Sequence, residues 1–168
     1  ISLACEPCAD AYAALLAREH AGRAVMIDPN IRPGFVRDEA RYRRRLGTMI
    51  AQADIMKVSD EDLHWIVPGP AAIGEKVAQV LGAGPSVILV TRGREGASGY
   101  MADGTEVTVP ARQVNVADTV GAGDTFNAGV LAWLSSHGAL NKRALAGLDA
   151  VSLRAALEFG ARVSSVTV

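Results

Sequence analysis

Cysteine is nearly absent: Cys5 and Cys8 are the two in 168 residues, too few for a disulfide framework. A zinc site needs about four ligands, and no second cysteine pair or histidine cluster accompanies them. Cys5-Glu6-Pro7-Cys8 can still read as a redox or zinc half-site, or as the turn between a first strand and a helix that Pro7 suits at its start. No apolar run reaches spanning length, and a net charge of −1 offers nothing to a polyanion or an anionic membrane. Aromatic residues make up 5%, and Trp65 and Trp133 fall on apolar stripes, as core positions rather than stacking platforms. Arg41-Tyr42-Arg43-Arg44-Arg45 is a basic run, but Asp38 and Glu39 lie one helical turn earlier and suit ion pairing on a solvated face. With no signal peptide, internal repeat or low-complexity tract, the expectation is a soluble cytoplasmic protein with no nucleic-acid or membrane partner.

What is present is enough for one core. Hydrophobic residues make up 49% of the chain, and apolar runs alternate with helical periodicity, predicting an α/β protein with a mostly parallel sheet covered on both faces. Strands are expected at Ile1–Ala4, Ala24–Ile27, Asp54–Val58 and Ser86–Val90, with a hairpin of Gly96–Met101 and Glu106–Val109 around Asp103-Gly104. Helices are expected at Ala9–His20, from Asp38 to Ala51, from Ser59 to Trp65, at Ala71–Leu81, and at Asp149–Val163. The prolines of Asp28-Pro29-Asn30-Ile31-Arg32-Pro33-Gly34 exclude regular structure there. Both ends, Ile1-Ser2-Leu3-Ala4 and Ser164-Ser165-Val166-Thr167-Val168, read as strand-like without polar tails, as in a piece of a longer protein.

The densest chemistry lies in Asp118-Thr119-Val120-Gly121-Ala122-Gly123-Asp124, where two carboxylates bracket a glycine-rich turn. Gly121 and Gly123 permit positive φ and a close backbone approach to a ligand, leaving N–H groups to face an anion. A helix follows, with Phe126, Val130, Trp133 and Leu134 on one stripe, so the turn sits at a positive dipole end. Asp124, in the first turn, can take a proton from a hydroxyl attacking phosphorus. Helix capping by both aspartates around a tight turn is the plainer alternative for so short a motif.

Strand-end loops of an open α/β sheet are where ligands bind, and three carry suitable residues. Asp28, Asn30 and Arg32 can hold sugar hydroxyls or a phosphate oxygen, or form a structural turn. Lys57-Val58-Ser59-Asp60-Glu61-Asp62 can hold magnesium through water, or simply box a helix start with Ser59 and Asp62. Thr91-Arg92-Gly93-Arg94-Glu95-Gly96 has glycines and cations but lacks the Lys-Ser/Thr pair of a Walker loop.

The run Asp118 to Gly129, Asp-Thr-Val-Gly-Ala-Gly-Asp-Thr-Phe-Asn-Ala-Gly, resembles the C-terminal signature of the ribokinase (PfkB) family of carbohydrate kinases, and nearly the whole chain is similar to its bacterial fructokinase group. The resemblance implies a three-layer α/β/α ribokinase-like fold, with residues 1–168 as its nucleotide-binding C-terminal part and the N-terminal half missing. It implies ATP-dependent phosphorylation of a sugar hydroxyl, with Asp124 as base and the amides of Gly121, Ala122 and Gly123 as anion hole. Thr91, Gly93, Ser59 and Lys57 would meet the nucleotide, and Asp28, Asn30, Arg32 and Asp124 the sugar. Ser59 and Asp62 replace the family's Asn-x-x-Glu with shorter side chains, so the magnesium role falls to Asp62 or to Glu61 instead. Asp118 would orient the loop or help bind a monovalent cation such as potassium. The family also implies a homodimer at full length and a weakly active fragment. Sibling substrates are 2-keto-3-deoxygluconate, ribose or a nucleoside; a non-catalytic sugar or nucleotide sensor is the reading of another class.

Overall fold

In the computed structural model, which describes residues 2–112 and 121–166, the strands form a five-stranded sheet in the order β1 (Met26–Ile27), β2 (Ile55–Ser59), β3 (Val87–Thr91), β4 (Ala97–Met101), β5 (Glu106–Val109). The first three pair in parallel and the last two add an antiparallel hairpin, as the Asp103-Gly104 signal predicts. Ile55 stands opposite Val87 and Ser59 opposite Thr91, so β2 and β3 end level and release their loops side by side. The helices are α1 (Cys8–Glu19), α2 (Glu39–Gln52), α3 (Asp60–Ile66), α4 (Ile73–Leu81), α5 (Ala122–Ser136), α6 (Lys142–Ala146) and α7 (Ala150–Ser164).

Strand periodicity divides the core in two. Ile55, Val87 and Leu89 pack with Phe126, Val130, Leu134 and Leu157 of α5 and α7 on one face. Met56, Val58, Ile88 and Val90 pack with Leu46, Leu63 and Val77 of α2, α3 and α4 on the other. Alternation along β2 therefore turns Lys57 toward the α5 face, an ionic side chain in an otherwise apolar strand. Side chains cap the helices that follow loops: Asp38 accepts from the Arg41 amide at 2.9 Å, Ser59 from Asp62 at 3.0 Å and Asp149 from Ser152 at 2.7 Å.

Arg41, Arg43 and Arg45 of the basic run on α2 pair with acids, though not entirely with the expected partners. Arg43 pairs with Glu39 at 2.7 Å and lies 3.8 Å over the Trp65 ring, while Asp38 is committed as the cap. Arg41 and Arg45 instead reach Glu6 and Asp10 at the start of α1. Trp65 and Trp133 are half-buried against the two cores, and Trp133 also stacks on His137 at 3.9 Å.

Several expectations are corrected. Ser2–Ala4 form turns rather than a strand, because the Leu3 carbonyl accepts from Arg45 at 3.0 Å and the Cys5 carbonyl accepts from the Ala9 amide as α1 begins. Leu3 and Ala4 are half-buried by packing on the α2 side, a use of a short apolar run that periodicity cannot separate from a strand. Pro33–Phe35 is one 3-10 turn, which proline's fixed φ suits at its first position. At the other end α7 runs through Ser164, and Ser165 still donates to the Ala161 carbonyl, so Ser164–Val166 are not strand-like. Helix α6, held by the Asn141 cap, is too short for a periodic signal.

Helices α5 and α7 meet through glycines. A Cβ on Gly129 would stand 2.8 Å from the Gly160 Cα, and one on Gly160 would meet Val130 Cγ2 at 2.8 Å and the Phe126 carbonyl at 3.0 Å. Because backbone atoms cannot swing aside, Gly160→Ala costs about 1–3 kcal/mol through overpacking. Set against the ~1 kcal/mol that alanine gains over glycine in an open helix, the expected net is a destabilisation of up to about 2 kcal/mol. A lower urea midpoint with unchanged slope checks it; a raised midpoint contradicts it.

Candidate active site

The carboxyl ends of β1, β2 and β3 converge on the head of α5. Gly121 adopts φ +83°, the left-handed conformation that glycine takes without strain, and Ala122 begins the helix. Gly123 differs from expectation: it lies within the helix with no positive φ, and its missing Cβ leaves room instead for Lys57, whose Nζ would be 3.2 Å from that Cβ. No acceptor outside the helix among the described residues takes the Gly121, Ala122 or Gly123 amides. The Thr125 hydroxyl donates to the Gly121 carbonyl at 2.7 Å and tightens the first turn. Asp124 is exposed at the third helical position, and no described residue takes its carboxylate. A helix head with open amides and an adjacent free carboxylate can receive an anion and accept a proton.

The loop after β1 reaches this head through Asp28. Its Oδ2 accepts from Lys57 Nζ at 3.0 Å and from Asn127 Nδ2 at 2.9 Å, joining three elements at one carboxylate oxygen. The Lys57 and Asp28 side chains are 9% and 17% exposed, so this is a pair largely shielded from water. Asn30 is exposed in the left-handed region at φ +44°, and the exposed Arg32 donates to the Ile31 carbonyl at 3.0 Å. Asn127 escaped sequence reasoning although it lies within the signature; its signal was its position one helical turn after Gly123.

Asp62 supports the β1 loop from α3, its Oδ1 accepting from the Ile31 amide at 3.1 Å. Burial pushes its carboxyl above the usual carboxylate range and the Asp28 charge adds to this, against the Ile31 amide, Lys57 and Arg32. Glu61 is exposed beside it. An acid raised in the folded state carries no penalty below its unfolded pKa of about 4, and the full penalty above its folded value. Asp62→Asn, which keeps the acceptor, is therefore expected to raise the melting temperature at pH 8 and leave it unchanged below pH 4. A gain that grew toward acid would contradict this.

Thr91 and Gly93, at the end of β3, line one cleft of about 380 Å³ together with Ala122, Gly123 and Phe126 of α5 and Ser164 and Ser165 at the end of α7. The Thr91 hydroxyl donates to the Val58 carbonyl at 3.4 Å, and Gly93 has φ +48°. Two clefts of about 550 Å³, one between the segment before α1 and the start of α2 and one beside α1 and β1, carry none of these residues. Asp118 lies outside the described residues. Among the described residues, no three His, Cys, Asp or Glu side chains cluster as a metal site, Cys5 and Cys8 are free and exposed, and no helix is long and apolar enough to cross a membrane.

A strand-end cleft beside a helix head whose amides meet no acceptor outside the helix among the described residues is an α/β arrangement that can receive an anion. The family model described as pfkB family carbohydrate kinase matches residues 2–168, and the chain belongs to that family. It is 48% identical over 155 residues to a fructokinase of Rhizobium leguminosarum bv. trifolii, covering 92% of this chain and 47% of the relative. It is 39% identical over 145 residues to a fructokinase of Klebsiella pneumoniae, covering 82% and 45%. Among solved structures, the fructokinase with bound ATP from Xylella fastidiosa superposes with a TM-score of 0.85 at 27% identity over 98% of this chain and 52% of that one. The aminoimidazole riboside kinase from Salmonella enterica, complexed with aminoimidazole riboside and an ATP analog, gives 0.82 at 27% identity over 100% and 54%. The ribokinase-like fold expected from the signature is thereby established, and the chain spans about half the length of the curated relatives it matches.

Proposed function

We propose that residues 1–168 form the nucleotide-binding C-terminal part of an ATP-dependent kinase that phosphorylates a sugar hydroxyl, with fructose as the preferred acceptor. The observation that carries this reading is the left-handed turn at Gly121, which leads into an α5 head whose amides meet no acceptor outside the helix among the described residues, beside the cleft that Thr91 and Gly93 also line. ATP fits there with its base and ribose between the β3 loop and the end of α7 and its terminal phosphates toward Gly121–Gly123. Asp124 takes the proton of the attacking hydroxyl, and the amides, with Lys57 behind them, stabilise charge on the transferring group. Ser59 borders the phosphates from the end of β2, while Asp28, Asn30 and Arg32 stand on the sugar side.

The described donors suit magnesium, which retains water and phosphate ligands and asks for one or two carboxylates rather than an all-protein cage. Asp62 and Glu61 would hold it through water, and when bound it would supply positive charge to the phosphate oxygens. Asp118 is proposed to orient the α5 turn or to serve a potassium ion.

The test is phosphate transfer from ATP to fructose, 2-keto-3-deoxygluconate, ribose and aminoimidazole riboside by the product of the complete reading frame. Fructose is expected to give the highest kcat/KM, and residues 1–168 alone to be a poor catalyst. A preference for another acceptor would reassign the substrate. Nucleotide binding without transfer to any acceptor would favour a sensor.

A further inference from the structure

Lys57 sits on a strand whose other residues are almost wholly apolar, and its side chain is more than nine-tenths buried. A lysine ammonium is a point charge on a flexible stem, so its direction depends on what holds it. Here the holder is Asp28, at 3.0 Å. A single bond to a carboxylate fixes the ammonium only if the carboxylate is itself fixed, because its terminal torsion is broad. Asn127 supplies that second restraint, donating from Nδ2 to the same Oδ2 at 2.9 Å across 99 residues of sequence. Asp28 Oδ1 and Asn127 Oδ1 are buried and have no hydrogen-bond partner among the described residues, so the shared oxygen is the join between the two side chains. Gly123, one turn before Asn127 on the same face of α5, lacks the Cβ that would stand 3.2 Å from the ammonium.

Resting on the phosphate-binding reading above, we infer that Asn127 is a positioning residue: it clamps the Asp28 carboxylate so that the Lys57 ammonium stays beneath the amides of the α5 head. One helix thus carries the amides that face the terminal phosphate, the gap that admits the lysine and the amide that orients it. Asn127 touches neither nucleotide nor sugar; its effect passes through Lys57.

A double-mutant cycle tests this in the product of the complete reading frame, with Asn127→Leu, near in size but without the donor, Lys57→Met, and both together. The readouts are binding of β,γ-imido-ATP, binding of AMP, and kcat/KM for ATP. Asn127→Leu is expected to weaken imido-ATP and lower kcat/KM by ~10-fold, the loss of one hydrogen bond to a charged group, while AMP is held as before. In the Lys57→Met background the same change is expected to add less than about twofold, because the group it positions is gone. Equal losses in both backgrounds, or equal weakening of AMP and imido-ATP, would make Asn127 a structural tie and overturn the inference. Asn127→Ala replaces the leucine variant if the latter melts below the assay temperature. A parent protein that binds imido-ATP without transferring phosphate would refute the kinase reading and leave the inference to be judged on binding; one that binds no imido-ATP would refute both.

Discussion

Asp124→Asn is expected to lower kcat by ~10² to 10⁴-fold in the product of the complete reading frame, the range over which a positioned general base acts. KM for ATP should change little, since the nucleotide is held by the amides and the β3 loop rather than by this carboxylate. The fold should be nearly indifferent as well. Asp124 is exposed and no described residue takes its carboxylate, so the substitution breaks no contact among them. Only the favourable placement of an anion near a helix N-terminus is lost, about 0.3–1 kcal/mol. Turnover, KM and melting temperature measured together therefore separate chemistry from stability. Normal turnover would remove Asp124 from the role of base.

The head of α5 was legible because its signals are local. Glycine at Gly121 is needed for a left-handed turn, and the apolar stripe beginning at Phe126 follows directly. The Ser59 cap and the Asp103-Gly104 hairpin were legible for the same reason: each lies within a few residues of what it governs. What stayed hidden depends on sequence separation. The contacts of Asp28 with Lys57 and Asn127 span 29 and 99 residues, and no spacing rule joins them. Gly123 was read for its backbone freedom, whereas its effect is steric, through a lysine on a distant strand. The N-terminal apolar run was misread because Leu3 and Ala4 find a core without becoming a strand.

Lys57→Met is expected to act on stability and catalysis by separable routes. Removing the ammonium leaves Asp28, 17% exposed, with Asn127 as its one remaining hydrogen-bond donor among the described residues. Breaking a buried ion pair from one side costs about 3–5 kcal/mol, an upper bound where the stranded carboxyl can take up a proton. Catalysis should fall by ~10² to 10³-fold in kcat, the effect of losing one donor aimed at developing charge in a site sheltered from water. Lys57→Arg should not rescue it, because the planar guanidinium spreads its charge over a fork and does not place it where the compact ammonium stands. Adding Asp28→Asn to Lys57→Met removes the stranded charge while keeping an acceptor for Asn127. Most of the stability should then return while turnover stays low. Recovery of both together would mean that Lys57 acts only by neutralising Asp28. Recovery of stability alone, with turnover well below that of Asp28→Asn by itself, would assign the ammonium to the phosphate.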